Sequence, residues 1–297
     1  MESKTAFIFP AFITEFTRRE IEFLKINSID INDYLNRISN VLNLELPEFS
    51  YDNKLYREEL NSQILAYAIS CAFTDVLLSK AIFPNYLAGY SMGIYASLYT
   101  AKSISFETGA KLIFKAFELI YELSETNLYG MGATIGLSSK DVSELISNNE
   151  LNLEIINVNN EHSLVVAGLK EDVQILLEKA KREGALTAGE LTVNTPYHSK
   201  YLENYSESFS DFLKNIKICE AVIPIISTFD QRQVSTIDDI KLELVNNLTQ
   251  KINWHKTMQR LIELGVKEMY ECGAGKDLKK ISRFIKGDYN LRSVYKI

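Results

Sequence analysis

Gly89-Tyr90-Ser91-Met92-Gly93 reads G-x-S-x-G, and its flanks decide what that pattern means. Ahead of it lies Phe83-Pro84-Asn85-Tyr86-Leu87-Ala88, a short, mostly apolar run that predicts a buried strand. Behind it, Ile94 to Ala101 predicts a helix. A strand that turns sharply into a helix, with small residues on both sides of a serine, is a nucleophile elbow. Glycine lacks the Cβ that would clash in so tight a turn. The serine is held in a strained, exposed pose, and backbone N–H groups at the helix N-terminus face a developing oxyanion.

Helical periodicity dominates residues 14–81, with Leu60, Ile64, Leu65, Ala68, Cys71 and Ala72 on one face. Pro84 ends that region. Beyond the elbow, residues 105–125 are helical, with Leu112, Ala116, Leu119, Ile120 and Leu123 as the apolar stripe. The rhythm then changes to strand 130–137, helix 140–148, strands 153–158 and 163–168, helix 170–183 and a strand at 186–193. Ser138-Ser139-Lys140-Asp141 supplies the capping chemistry for the first of these helices. The order β-α-β-β-α-β is a ferredoxin-like module of about 70 residues set into a larger α/β unit. The larger pattern resumes with helix 200–216, strand 222–228, helices 237–249 and 254–264, strand 267–271, helix 276–286 and a strand near 291–296.

The composition is that of a soluble globular protein: of 297 residues, 46% are hydrophobic and 24% charged. A net charge of −7 gives no electrostatic support to a nucleic-acid partner. The apolar run Thr5 to Phe9 is too short for a signal peptide or membrane span and predicts a first strand, so no membrane role is expected. Three unclustered cysteines (Cys71, Cys219, Cys272) fit a reducing cytoplasm. The three histidines and their neighbours show no metal-ligand spacing, so no metal site is expected. Ser91 needs a base. His162 falls in a polar turn and His255 at a helix start. His198 stands in Asn194-Thr195-Pro196-Tyr197-His198-Ser199, where the inserted module ends, and a proline-shaped turn there fixes its imidazole at a cleft. From the residues alone, the role of His198 as base stands against that of a turn histidine.

Taken in order, the motifs resemble the acyl-carrier-protein S-acyltransferase family, best known for malonyl transferases. Phe9-Pro10 is similar to its F-P-G-Q-G, Asn61-Ser62-Gln63 to its T-Q-P, and the elbow to G-H-S-x-G-E. Ile156-Asn157-Val158-Asn159, followed by Val165-Val166-Ala167-Gly168, resembles its asparagine-bearing hairpin. Pro196-Tyr197-His198-Ser199 resembles P-x-H-S, Asn247 to Trp254 resembles the segment ending N-P-V-x-W, and Gly273 to Leu278 resembles G-P-G-x-x-L. The resemblance spans essentially the whole chain. It implies an α/β-hydrolase-like large subdomain over 1–125 and 197–297, with a ferredoxin-like small subdomain over 126–196. It also implies an acyl ester on Ser91, His198 as base and then acid, oxyanion donors in the backbone N–H groups of Met92 and Phe12, and an orienting carbonyl near Asn247. Gln63, Tyr90, Ala116 and Tyr197 would line the acyl pocket. No cofactor is implied beyond the phosphopantetheine thiol of the substrate, on an acyl carrier protein or in coenzyme A; the partners implied are that carrier and an acyl thioester.

The departures from the family narrow the substrate. Malonyl-type members clamp the free carboxylate with an arginine in R-G-x-x-M; that position falls on Ala116, and the following glycine on Phe117. There is no arginine between Arg57 and Arg182. Lys115 points about 100° away on a helix and lacks the bidentate fork. Losing the clamp costs malonate at least about 1.5–3 kcal/mol. Tyr90 replaces the elbow histidine, Ile94 its glutamate, and Ala11-Phe12-Ile13 the Gly-Gln-Gly. This less polar site suits an uncharged acyl group. Such arginine-lacking members resemble the acyl hydrolases and acyltransferases of trans-acyltransferase polyketide synthases. The expectation is therefore hydrolytic release of non-malonyl acyl groups from a carrier. The alternatives are malonyl or acyl transfer onto a carrier, or a non-catalytic docking partner.

Overall fold

The computed structural model describes residues 3–11, 18–50, 58–126, 128–193 and 195–297. The first strand, β1 (Lys4–Phe9), is where the chain's need for burial is greatest: Ala6, Phe7, Ile8 and Phe9 are fully buried. Each phenylalanine there contributes about 1.5–3 kcal/mol by leaving water. A strand apolar on both faces must be covered on both, which is the condition of a parallel sheet. β1 accordingly pairs in parallel with β2 (Tyr86–Gly89) on one side and β10 (Val266–Glu271) on the other. The six-stranded sheet is completed by β11 (Asn290–Ser293) beyond β10, and by β7 (Ile225–Ile226) and β8 (Gln233–Val234) beyond β2; only β8 runs antiparallel to its neighbour.

One layer of helices comprises α1 (Arg18–Ile26), α2 (Ile31–Leu42), α3 (Glu59–Ser79), α4 (Gly93–Thr100) and α5 (Phe106–Glu125). The sequence pattern gave α3 one apolar face. In the structure it is buried on every face from Gln63 to Thr74, because α1, α2, α4 and α5 all pack against it. By length and composition α3 can cross a membrane, but 78% of its apolar stretch is buried inside the protein, as in a core helix. Ala116 belongs to this cluster, 3% exposed.

The inserted module has β3 (Tyr129–Ile135), α6 (Ser139–Asn148), β4 (Leu153–Asn160), β5 (Ser163–Leu169), α7 (Lys170–Arg182) and β6 (Thr187–Glu190). Its antiparallel sheet has the order β6-β3-β5-β4, and Ser138 and Asp141 form the capping box of α6. After α8 (Glu203–Lys214) and α9 (Ile237–Thr249), the two-residue strand β9 (Ile252–Asn253) leaves the large unit and joins the small sheet in parallel beside β4. Helix α10 (Trp254–Glu263) and α11 (Asp277–Ser282) follow.

Candidate active site

The elbow forms between β2 and α4, and its geometry follows from two glycines. A Cβ on Gly93 would lie 2.1 Å from the Phe9 carbonyl oxygen, and one on Gly89 would lie 2.4 Å from the Ile94 nitrogen. Without side chains there, the turn presses onto the end of β1, and Tyr90 N–H donates to the Phe9 carbonyl at 2.9 Å. Ser91 is thereby forced to φ +54°, the left-handed region. Such strain is kept only where the surroundings over-determine it. The turn's backbone bonds begin with Gly93 N–H to the Tyr90 carbonyl; the Met92 N–H, at the N-terminus of α4, has no acceptor among the described residues. It is available to a ligand oxygen. Phe12, the other donor expected from sequence, lies outside the described residues.

His198 arrives from the loop after the small module. It too is left-handed, with φ +62°, and its N–H is pinned to the Leu248 carbonyl at 2.8 Å. Its Nε2 stands 2.7 Å from Ser91 Oγ, and both side chains are buried. Burial pushes the imidazole down to about 3, so the ring is neutral at pH 7; the Gln250 backbone opposes this in part by favouring the charged ring. Nδ1 makes no well-formed hydrogen bond. The sequence pointed to Asn247 as the orienting carbonyl. The structure places the helix end so that Leu248 holds the main chain and Gln250 faces the ring, while Asn247 is a buried residue of α9. His162 lies exposed in the β4–β5 turn, and His255 sits on α10, neither beside Ser91.

The residues expected around the acyl group separate into two sets. Gln63 and Tyr197 meet: Gln63 Nε2 donates to the Tyr197 hydroxyl at 3.3 Å, and that hydroxyl donates to Glu59 at 2.8 Å. The Tyr197 ring lies 6.4 Å, centroid to centroid, from His198. Tyr90 turns elsewhere. Its hydroxyl accepts from Asn157 Nδ2 at 2.5 Å and donates to Asn159 at 2.7 Å, and its ring packs edge-on against Trp254, so it bridges the small sheet to α10 rather than lining an open pocket. Ala116 lies in the main core, and neighbouring Lys115 pairs with Glu118 at 2.7 Å and sits over the Phe212 ring. Neither supplies a cation to the cleft. Sequence reasoning missed Glu59, although its place four residues before Gln63 sets both on one face of α3.

A neutral buried histidine against a strained serine at a helix N-terminus, on this two-sheet fold, defines the class of serine enzymes that pass acyl groups through an ester. The chain belongs to the acyl transferase domain family, which it matches over residues 51–271. It is 28% identical over 297 residues to a malonyl CoA-acyl carrier protein transacylase of Staphylococcus aureus, covering 98% of this chain and 96% of that one. A transacylase of the same name from a Synechocystis strain is 28% identical over 236 residues, covering 79% of this chain and 78% of that one. Among solved structures, FabD from Acinetobacter baumannii superposes with a TM-score of 0.89 at 25% identity, covering 99% of this chain and 95% of that one. A malonyl-transacylase in complex with a type II polyketide synthase acyl-carrier protein has the same fold, with a TM-score of 0.89 at 22% identity, covering 98% and 96%.

Proposed function

We propose that this enzyme moves an acyl group from one thioester to the thiol of a carrier protein through an ester on Ser91, and that the group has no terminal carboxylate. The observation that carries the reading is the 2.7 Å contact between Ser91 Oγ and neutral, buried His198. In the first half-reaction His198 takes the Ser91 proton as Oγ attacks the thioester carbon. The Met92 N–H, with that of Phe12 as the second donor proposed from the family resemblance, holds the oxyanion. The C–S bond then breaks, and His198 gives the proton to the leaving thiolate. In the second half-reaction a carrier thiol gives its proton to His198, attacks the ester carbon and breaks the C–O bond, and Oγ recovers the proton. Side chains and backbone suffice for both halves; the thiols belong to phosphopantetheine, on a carrier or in coenzyme A. The three unpaired cysteines support a cytoplasmic setting.

Hydrolytic release, the outcome favoured by the sequence, yields to transfer: the curated relatives are named transacylases, and no described residue of the site selects water over a thiol. Those names also favour a second reading, malonyl transfer. Against it stand Ala116 in the clamp position, Lys115 engaged with Glu118, and the Glu59 carboxyl close by. Incubation with acetyl-, propionyl- and malonyl-carrier proteins, followed by intact mass, separates the readings. Faster Ser91 loading by acetyl or propionyl is expected. Faster malonyl loading would establish the second reading. Free acid accumulating faster than acyl groups reach an added carrier thiol would restore hydrolysis.

A further inference from the structure

Beyond Tyr197 the cleft holds buried acceptors that the chemistry at Ser91 does not use. Glu59, in the first turn of α3, accepts on Oε1 from the Tyr197 hydroxyl at 2.8 Å and from Gln63 Nε2 at 3.2 Å. Those bonds commit the Gln63 nitrogen and leave the amide oxygen on the same carbon as a further acceptor in this cluster. That oxygen has no donor among the described residues, although Gln63 is 1% exposed. The Thr195 hydroxyl, also buried, lies next to the carboxyl without a well-formed bond. The Tyr95 hydroxyl, fully buried and near Tyr197, is likewise unpaired. Native proteins rarely leave such atoms unmet, and this cluster around Glu59 and Tyr197 marks a place where a ligand completes the set.

We propose that the acyl group carries a primary ammonium, seated between Glu59 and the Gln63 amide oxygen. The proposal rests on the acyl-transfer reading above and names its substrate class. An ammonium offers three N–H donors and a positive charge, which matches a carboxylate flanked by neutral acceptors. A hydroxyl end offers one donor and a hydrocarbon end none. A malonyl carboxylate brings only acceptors and the wrong charge. No lysine or arginine among the described residues pairs with Glu59. Burial raises its carboxyl above the usual range, and the Tyr197 hydrogen bond and the nearby Thr195 hydroxyl oppose this in part. An arriving cation would draw it to the charged form. Glu59 also lines a cavity of about 540 Å³ together with Glu45, Glu58, Leu46 and Phe117. The carboxylates there favour a cation on the side of Glu59 away from Tyr197. The sequence led us to expect an uncharged acyl group from Tyr90 and Ile94. Tyr90 faces the small sheet instead, and the polar groups lie on α3 and the 195–197 turn.

The test uses the whole enzyme and three N-acetylcysteamine thioesters, 3-aminopropionyl, butyryl and malonyl, the first two being nearly isosteric. Acyl-Ser91 formation is followed by intact mass. The amino thioester is expected to load about tenfold faster than butyryl or more. In Glu59→Gln that ratio is expected to fall about tenfold. Equal or faster loading of butyryl by the unaltered enzyme overturns the inference while leaving acyl transfer standing. A Glu59→Gln variant that slows both thioesters equally also overturns it, since that is the mark of a purely structural role. Fastest loading by malonyl overturns the inference and the substrate reading beneath it. Failure of every thioester to acylate Ser91 overturns the acyl-transfer reading itself.

Discussion

The elbow around Ser91 and the floor around Glu59 meet at one turn, residues 195–198, yet they are specified in opposite ways. The elbow is a matter of backbone sterics: two missing Cβ atoms, one left-handed residue and one close approach to the end of β1. Almost any change there damages the geometry. The floor is a matter of side-chain chemistry drawn from α3, α4 and the 195–197 turn, and its identities can change without disturbing the chain path. Reaction type and substrate choice therefore sit on different physical supports.

If reaction type and substrate choice rest on different supports, substitutions in the two regions should differ in effect from a complete loss to none. Ser91→Ala should abolish the acyl adduct and fluorophosphonate labelling, with turnover down by roughly 10⁴-fold or more; an adduct that survives would remove Ser91 from the chemistry, and an unlabelled native protein would favour a docking role. Gly93→Ala should cost about 100-fold in turnover and lower the melting temperature, because its methyl meets the Phe9 carbonyl and shifts the serine. A near-normal rate would show the elbow to be softer than its contacts imply. Ala116→Arg should destabilise by about 1–3 kcal/mol in thermal melts without raising malonyl loading tenfold, since the site is core and Glu59 remains. A large malonyl gain would place substrate choice on that one position. Tyr90→Phe should cost about 1–3 kcal/mol, because Asn157 and Asn159 lose their buried partner.

The smallest effect concerns pH. With His198 pushed down to about 3 in the folded state, labelling of Ser91 should be flat from pH 8 to pH 5. Below its ordinary 6.5 the histidine of the unfolded chain binds a proton that the folded one refuses. The contribution of neutral His198 to stability is thus complete above pH 6.5 and shrinks as the pH falls toward 3. Comparing the melting temperature of the native protein with that of His198→Gln across pH 7 to 4 checks it; a gap that widened on acidification would contradict the burial.

What the sequence made legible was what is decided locally. The elbow rests on five consecutive residues, the capping box of α6 on Ser138 and Asp141, and the small module on its alternation of strand and helix periods. His198 was legible because a proline sits two residues ahead of it. The carbonyl facing its ring was not: that depends on where α9 unwinds, and a sequence pattern does not place a helix end finely enough to separate Asn247 from Gln250. The destination of Tyr90 depends on Asn157, Asn159 and Trp254, and no local pattern states that these converge. Glu59 was hidden for a simpler reason, since a glutamate in the first turn of a helix is ordinarily a solvated partner of the helix dipole.

The short strand β9 begins two residues after Gln250 and pairs with β4 of the small sheet, while Leu248, just before, holds the main chain of His198. One hexapeptide, 248–253, is therefore at once the mooring of the histidine and the tie between the two halves of the molecule. A swing of the small module would tug directly on the base, so the posture of one half and the readiness of the histidine are mechanically coupled.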